Sequence, residues 1–136
     1  MTMTAAAARG PQRHQVRYPA REETVPQARH DVAKALHEWA LPDLVASAGQ
    51  IVSELVTNAL EHSDAATIGV SITRIAAESV RIVITDNSSA LPTASRPGDE
   101  DEHGRGLLIV AALAARWGSE RVHGGKRMWA EVSHVE

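Results

Sequence analysis

The sequence predicts an α+β fold, a two-layer α/β sandwich in which helices cover one face of a mixed, mostly antiparallel sheet. Three segments place apolar residues at helical spacing, and five short segments have the alternation or the β-branched content of strands. Four of these strands form two hairpin-like pairs, which favours antiparallel neighbours. With 136 residues, 43% of them hydrophobic, the chain has the size and composition of one domain with a buried core.

The first half of the chain is predicted to contain one strand and two helices. A short edge strand is predicted over Gln15–Pro19, where the proline ends it. Apolar residues recur at helical spacing over Thr24–Ala40, and Thr24 is the expected N-cap. Asp43 is expected to cap a second helix that reaches His62.

The second half is predicted to be two hairpins separated by a loop and a helix. The first hairpin comprises Ala66–Arg74 and Val80–Thr85, and the loop Asp86–His103 is long enough to indicate either a function or mobility. A third helix is predicted over Gly104–Trp117, ended by Gly118 as its C′ glycine. Two final strands follow and are joined by a Gly-Gly turn. Their predicted ranges are Ser119–Val122 and Lys126–Ser133.

Charge, cysteine content and targeting signals narrow the function classes. A net charge of −3 and a pI of about 6.2 argue against nucleic-acid binding through a broad basic surface. The absence of cysteine excludes disulfides and thiolate chemistry, and the seven histidines are scattered along the chain, without metal-site spacing. The apolar run Leu107–Ala115 is too short to span a membrane, and the N-terminus lacks a secretory signal. We expect a cytoplasmic protein with a disordered tail over residues 1–13 and a single domain over 14–136.

Glu54 and Asn58 are the first candidate site residues. They are four residues apart at the edge of the apolar arc of the second helix, so their side chains lie one turn apart on one side. The amide oxygen is a hard ligand suited to Mg²⁺, and the carboxylate can hold or deprotonate a hydroxyl group. The alternative is an ordinary amphipathic helix on which both side chains are solvated.

Two further features are each weak alone. Asp86 follows a buried strand and can accept hydrogen bonds from a ligand amine, or it can simply begin a turn. In the stretch that starts at His103, Gly104 and Gly106 flank Arg105 at the predicted start of the third helix. Glycine amides and an arginine at a helix N-terminus can bind phosphate, although the pattern is neither a Walker loop nor a dinucleotide fingerprint.

Together these features resemble the GHKL superfamily of ATPases, which have the Bergerat ATP-binding fold. The likeness is greatest to the small bacterial anti-sigma factors with serine/threonine kinase activity, and it extends over Ala20 to Val132. The blocks that carry it are, in order, SELVTNALEHS, VITDNSSALP, GRGLLIVAALAARWG and GGKRMWAEV. The resemblance implies a histidine-kinase-like ATPase domain with ATP and Mg²⁺ as cofactors.

The resemblance also implies roles for individual residues. Glu54 matches the catalytic acid that activates the attacking hydroxyl, and Asn58 matches the Mg²⁺ ligand that connects the metal to the triphosphate. Asp86 matches the residue that accepts the adenine amino group, and His62 corresponds to the ribose and phosphate side. Three residues match the phosphate-binding positions of the lid and the following helix, and they are Gly104, Arg105 and Gly106.

Two stretches depart from the family pattern, both at the adenine end. The usual Asp-x-Gly-x-Gly lacks its glycines here, because Asp86 is followed by Asn-Ser-Ser-Ala. Near the C-terminus the family commonly has Gly-x-Thr, and Arg127 stands in place of that threonine. A long cation there could narrow the base pocket or contact something else.

The function implied is that of an ATP-dependent regulator of transcription. It would bind a sigma factor and transfer the γ-phosphoryl group of ATP to a serine of an anti-anti-sigma antagonist, without binding nucleic acid or membrane. The resemblance also implies a homodimer. The altered adenine end leaves one alternative, a Bergerat-fold module that captures a protein partner and transfers no phosphate. A second alternative is a structural α+β domain that binds no nucleotide.

Overall fold

The computed structural model describes residues 12–86 and 107–134. Five strands form one sheet in the order β1-β2-β3-β5-β4, and each neighbouring pair is antiparallel. The strands are β1 (Arg13–Pro19), β2 (Thr67–Ala76), β3 (Ser79–Asp86), β4 (Arg116–Val122) and β5 (Gly125–Ser133). Residues 1–11 of the predicted tail lie outside the described residues. β1 begins at Arg13, two residues earlier than the sequence indicated.

The helices lie on one side of this sheet. They are α1 (Thr24–Glu38), a short 3₁₀ turn (Pro42–Leu44), α2 (Val45–His62) and α3, of which residues 107–113 are described. One apolar core forms between helices and sheet, and its fully buried side chains include Leu36, Ile51, Leu55, Ile72 and Ile82. The predicted α+β sandwich is therefore confirmed. Within the described ranges, no helix combines the length and apolar character that membrane crossing requires.

Strand alternation explains why these segments form a sheet with one buried face. In β3 the side chains of Val80, Ile82 and Ile84 are buried, while those between them are only partly covered. In the register of β3 with β5, Ile84 lies opposite Met128 and Ile82 opposite Ala130, so the core-facing residues of both strands coincide. We call the other surface of the sheet the open face.

The start of α1 differs from the prediction at Thr24. This residue is the first residue of the helix, and Glu23 occupies the N-cap position without a side-chain capping bond. The Thr24 hydroxyl instead donates a hydrogen bond to the Pro19 carbonyl at the end of β1. The hydroxyl thus joins strand to helix, a contact that local sequence pattern does not reveal. Asp43 likewise lies within the 3₁₀ turn that precedes α2 and makes no capping bond there.

The end of α1 is closed by a residue in the left-handed conformation. Ala40 has φ of 57°, and its N–H donates to the His37 carbonyl at 3.1 Å. The Leu41 N–H donates to the Leu36 carbonyl at 2.8 Å. These two bonds satisfy carbonyls of the last turn and stop the helix at Glu38, before the predicted end at Ala40.

The third helix was predicted too long. Its described part ends at residue 113, and β4 begins at Arg116. Gly118 is therefore not a C′ residue but lies in β4, where it pairs with Trp129 of β5. A Cβ at Gly118 would come within 3.0 Å of the Trp129 ring. Pairing with β5 and the close approach of this indole thus outweigh the helical propensity of the segment.

Candidate functional site

The polar edge of α2 has the arrangement that the sequence suggested. Asn58 is 8% exposed although it carries a carboxamide, whereas Glu54, one turn earlier, is partly covered. The Gln50 amide nitrogen donates to Glu54 Oε1 at 3.3 Å and so holds the carboxylate from the preceding turn. The burial of Asn58 argues against the alternative in which both side chains are solvated. Gln50 was not among the predicted site residues, although its spacing of four from Glu54 was a usable signal.

Asp86 is the last residue of β3 and is 5% exposed. It faces the helices, because it continues the series of core-facing residues Ile82 and Ile84. Its cross-strand neighbours are Ile68 in β2 and Lys126 in β5. A buried carboxylate flanked by a cation on the next strand is an unusual feature at the rim of an otherwise apolar core.

The chain connections bring α2 and Asp86 to the same end of the sheet. α2 ends at His62, and only residues 63–66 separate it from the start of β2. β2 runs antiparallel to β3, so the first residues of β2 lie beside the last residues of β3, and Ile68 pairs with Asp86. The C-terminal half of α2, with Asn58, therefore approaches the end of β3 that carries Asp86.

His62 occupies the exposed last turn of α2, closest to this end of the sheet. Its side chain lies outside the core, beyond the more buried Asn58. The remaining candidates Gly104, Arg105 and Gly106, and the loop Asn87–His103, lie outside the described residues.

The cation paired with Asp86 on the helix side of the sheet is Lys126, not Arg127. Lys126 pairs with Asp86, and Arg127 pairs with Thr85 on the open face. Arg127 forms an ion pair there with Glu120 of β4, and its Nε donates to Glu120 Oε1 at 2.7 Å. Of the two expectations for Arg127, the contact with another group is therefore the one observed. Counting alternate residues back from Val132, Ala130 and Met128 would have identified Lys126 from the sequence.

The donor set of α2 is compatible with a magnesium ion carried mainly by phosphate oxygens. Asn58 offers a hard amide oxygen and Glu54 a carboxylate nearby. Within residues 12–86 and 107–134, no group of three or more histidine, aspartate or glutamate side chains forms a protein-only metal cage. Mg²⁺ commonly keeps few protein ligands when a nucleotide provides the rest.

Comparison with known proteins agrees with this architecture. A chain in the crystal structure of the SiaB–SiaC complex from Pseudomonas aeruginosa superposes with a TM-score of 0.65 at 14% identity. The superposition covers 96% of this chain and 95% of that one. The Acinetobacter baumannii histidine kinase AdeS overlaps with a TM-score of 0.48 at 15% identity, over 97% of this chain and 73% of that one.

No curated protein sequence matches the chain. The family model described as "Histidine kinase-like ATPase domain" does match, and it spans residues 18–131. That range runs from the end of β1 into β5 and includes α2 and Asp86. The chain therefore belongs to the histidine kinase-like ATPase domain family.

Proposed function

We propose that the chain binds ATP at the end of the sheet where α2 approaches Asp86. The observation that carries this proposal is the pair of buried polar side chains there, Asn58 and Asp86, at the rim of an apolar core. Burial of a polar group is costly unless it is hydrogen-bonded, so two such groups at the rim of a core are suited to a polar ligand. Membership of an ATPase domain family supports a nucleotide as that ligand.

The proposed roles divide between the two ends of the nucleotide. Asp86 accepts the adenine amino group, with the Lys126 ammonium close by as its cross-strand neighbour. Asn58 holds Mg²⁺, which neutralises charge on the phosphates when it is bound. His62 is proposed for the ribose and phosphate side. The proposal assigns phosphate binding to three residues outside the described ranges, Gly104, Arg105 and Gly106.

We further propose that the protein is an anti-sigma factor with serine/threonine kinase activity, acting in the cytoplasm. Glu54, held by Gln50, takes the proton of a serine hydroxyl on the antagonist protein. The serine oxygen attacks the γ-phosphorus, and the bond from that phosphorus to the bridging oxygen breaks, which releases ADP. A sigma factor and its anti-anti-sigma antagonist are the partners of this proposal, and the fold shared with a chain of the SiaB–SiaC complex is consistent with it.

Calorimetric titration of ATP and ADP tests the nucleotide site directly. Wild-type protein is titrated with Mg²⁺ or with EDTA, together with Asn58→Ala and Asp86→Asn. We expect ATP binding that weakens in EDTA and in Asn58→Ala, and that Asp86→Asn weakens in both conditions. Thr57→Ala, on the neighbouring position of α2, is the matched control and should bind like the wild type. Absence of binding at millimolar nucleotide would refute the proposal.

Phosphotransfer is a separate question from binding. Radiolabelled ATP with a purified candidate antagonist distinguishes wild type from Glu54→Gln, which retains the shape of the side chain but cannot accept the proton. Labelling by the wild type and loss of labelling in Glu54→Gln, with unchanged ATP affinity, is the expected result. Equal labelling by both proteins would remove Glu54 from the reaction. ATP binding without any labelling would favour the alternative of a module that acts by protein capture.

A further inference from the structure

The open face of the sheet has a charge opposite to that of the whole chain. Five arginines from four strands lie on it, whereas the net charge of the chain is −3. They are Arg13, Arg17, Arg81, Arg116 and Arg127. Within the described strands, its acidic residues are Glu120 and Glu131. The positive surplus is thus local to this surface, on the side of the sheet opposite to Asp86.

Trp129 of β5 lies on this face between β3 and β4, and it supports one arginine from each of these two strands. The Arg81 guanidinium carbon lies 4.6 Å from the centroid of the indole ring, and that of Arg116 lies 5.7 Å from it. Gly118 of β4 lets the ring lie against the strand backbone, because any larger residue would contact the indole at 3.0 Å. The ring therefore fixes two cations whose side chains would otherwise be mobile. Strand alternation turns Trp129 to the open face, away from the core.

The acidic residues of the face leave most of its donors available. Glu131 is shared, at 3.2 Å from Arg116 Nε and 3.9 Å from Arg81 Nε. The side chains of Arg81, Arg116 and Arg127 are 42%, 68% and 46% exposed. Each guanidinium has five N–H donors, more than one shared carboxylate can use. Within the described part of the chain, no acceptor is bonded to the terminal nitrogens of Arg81.

We propose that this face binds an acidic, extended segment of a partner protein, with Trp129 as the apolar contact between the arginines of β3 and β4. Carboxylates of the segment would form paired hydrogen bonds with the outward N–H groups of Arg81, Arg116 and Arg127. From β1 to β4 the arginines span four strand spacings, about 19 Å. A single phosphate reaches one or two of them, whereas about six residues of extended chain cross the whole face.

A protein segment fits the charge pattern better than a nucleic acid does. A nucleic-acid surface needs a basic stripe that follows many phosphates, whereas Glu120 and Glu131 interrupt the arginines of this face. The partner site is independent of nucleotide binding, since Asn58 and Asp86 lie on the helix side of the sheet. Both surfaces can therefore be occupied together.

The three tryptophans provide a direct readout by nuclear magnetic resonance. Trp39 and Trp117 lie on the helix side, so among the three indole N–H signals only that of Trp129 reports on the open face. The probe is a synthetic peptide of about ten residues that alternates glutamate and leucine, titrated into the full chain at low ionic strength. The same peptide with lysine for glutamate, and a short oligothymidylate, are the comparison ligands.

We expect the glutamate peptide to shift the Trp129 signal and to leave that of Trp39 in place, with an affinity that falls as salt is added. The combined variant Arg81→Gln, Arg116→Gln should weaken binding by about tenfold or more, as loss of two charge-assisted contacts predicts. Arg21→Gln, in the turn before α1, is the matched control and should bind like the wild type. If circular dichroism shows that the double variant does not fold, the shift of the wild-type Trp129 signal and its salt dependence still test whether the open face binds the glutamate peptide.

Three results would overturn the inference. The first is an unshifted Trp129 signal at millimolar glutamate peptide. The second is equal binding of the lysine peptide, or tighter binding of the oligonucleotide. The third is a wild-type dimer that the double variant dissociates and that binds no peptide, because the face would then be a contact between copies. Loss of ATP binding would leave all these outcomes unchanged, so failure of the nucleotide proposal is distinguishable.

Discussion

Tyr18 makes the packing of β1 against α1 testable at high pH. It is the only tyrosine of the chain, it is 6% exposed, and its hydroxyl donates to Asp31 Oδ2 at 2.5 Å. Burial is the main cause that raises the pKa of Tyr18, and the hydrogen bond and negative charge of Asp31 raise it further. The pKa therefore lies well above its ordinary value of about 10.

The raised pKa sets the direction of the pH dependence. Above about pH 10 the unfolded chain releases the phenolic proton while the folded protein retains it, so the unfolded state binds fewer protons. The free energy of unfolding then falls with rising pH, by about 1.4 kcal/mol for each pH unit. About 2 kcal/mol is lost between pH 10 and pH 12, because the unfolded tyrosine is only half ionised at pH 10, and well below pH 10 this residue contributes no slope.

Two measurements on the wild type and Tyr18→Phe check this reasoning. Tyrosinate absorbance against pH reports the ionisation of Tyr18 alone, and urea unfolding at several pH values gives the stability. We expect absorbance to rise only where circular dichroism also records unfolding, and Tyr18→Phe to lack the alkaline slope. At neutral pH the variant should be less stable by about 1.5–3 kcal/mol, because it loses a hydrogen bond to a charged group. Ionisation near pH 10 in protein that is still folded would refute the account.

Three further substitutions have defined expectations, each measured by urea unfolding. Ala40→Gly should raise the free energy of unfolding by about 1 kcal/mol, because Ala40 has φ of 57°. The control Ala46→Gly, at an exposed position of α2, should instead lower it by about as much. Gly118→Ala should cost about 1–3 kcal/mol and move the indole of Trp129, since its Cβ would lie 3.0 Å from the ring; an unchanged Trp129 signal would contradict this. Leu36→Ala, at a fully buried position, should cost about 2–5 kcal/mol, and a loss below 1 kcal/mol would contradict the described core.

The fold class and the α2 half of the site were predictable because their signals are local. The helical spacing of apolar residues fixes which side of α2 is buried, and Glu54 and Asn58 follow from it by a spacing of four. The alternation in β3 gives both the strand and the side to which Asp86 points. The motif order then predicted a family that the family model confirms.

The prediction failed where a contact distant in sequence outweighs a local preference. Residues before Gly118 have helical propensity, but Arg116 and Trp117 pair with β5 and so belong to β4. Thr24 resembles a helix cap, yet its hydroxyl bonds to Pro19 of the neighbouring strand. In both places the contact that determines the local structure is made with another element of the fold, and a single sequence does not reveal such contacts.

Lys126 and Arg127 are adjacent cations of β5. Because adjacent residues of a strand point to opposite sides of the sheet, β5 contributes one cation to each surface. Lys126 stands beside Asp86 on the helix side, and Arg127 joins Glu120 on the open face. A substitution at one position should therefore affect only one function. Lys126→Ala should alter nucleotide titrations without moving the Trp129 signal, and Arg127→Ala should do the reverse.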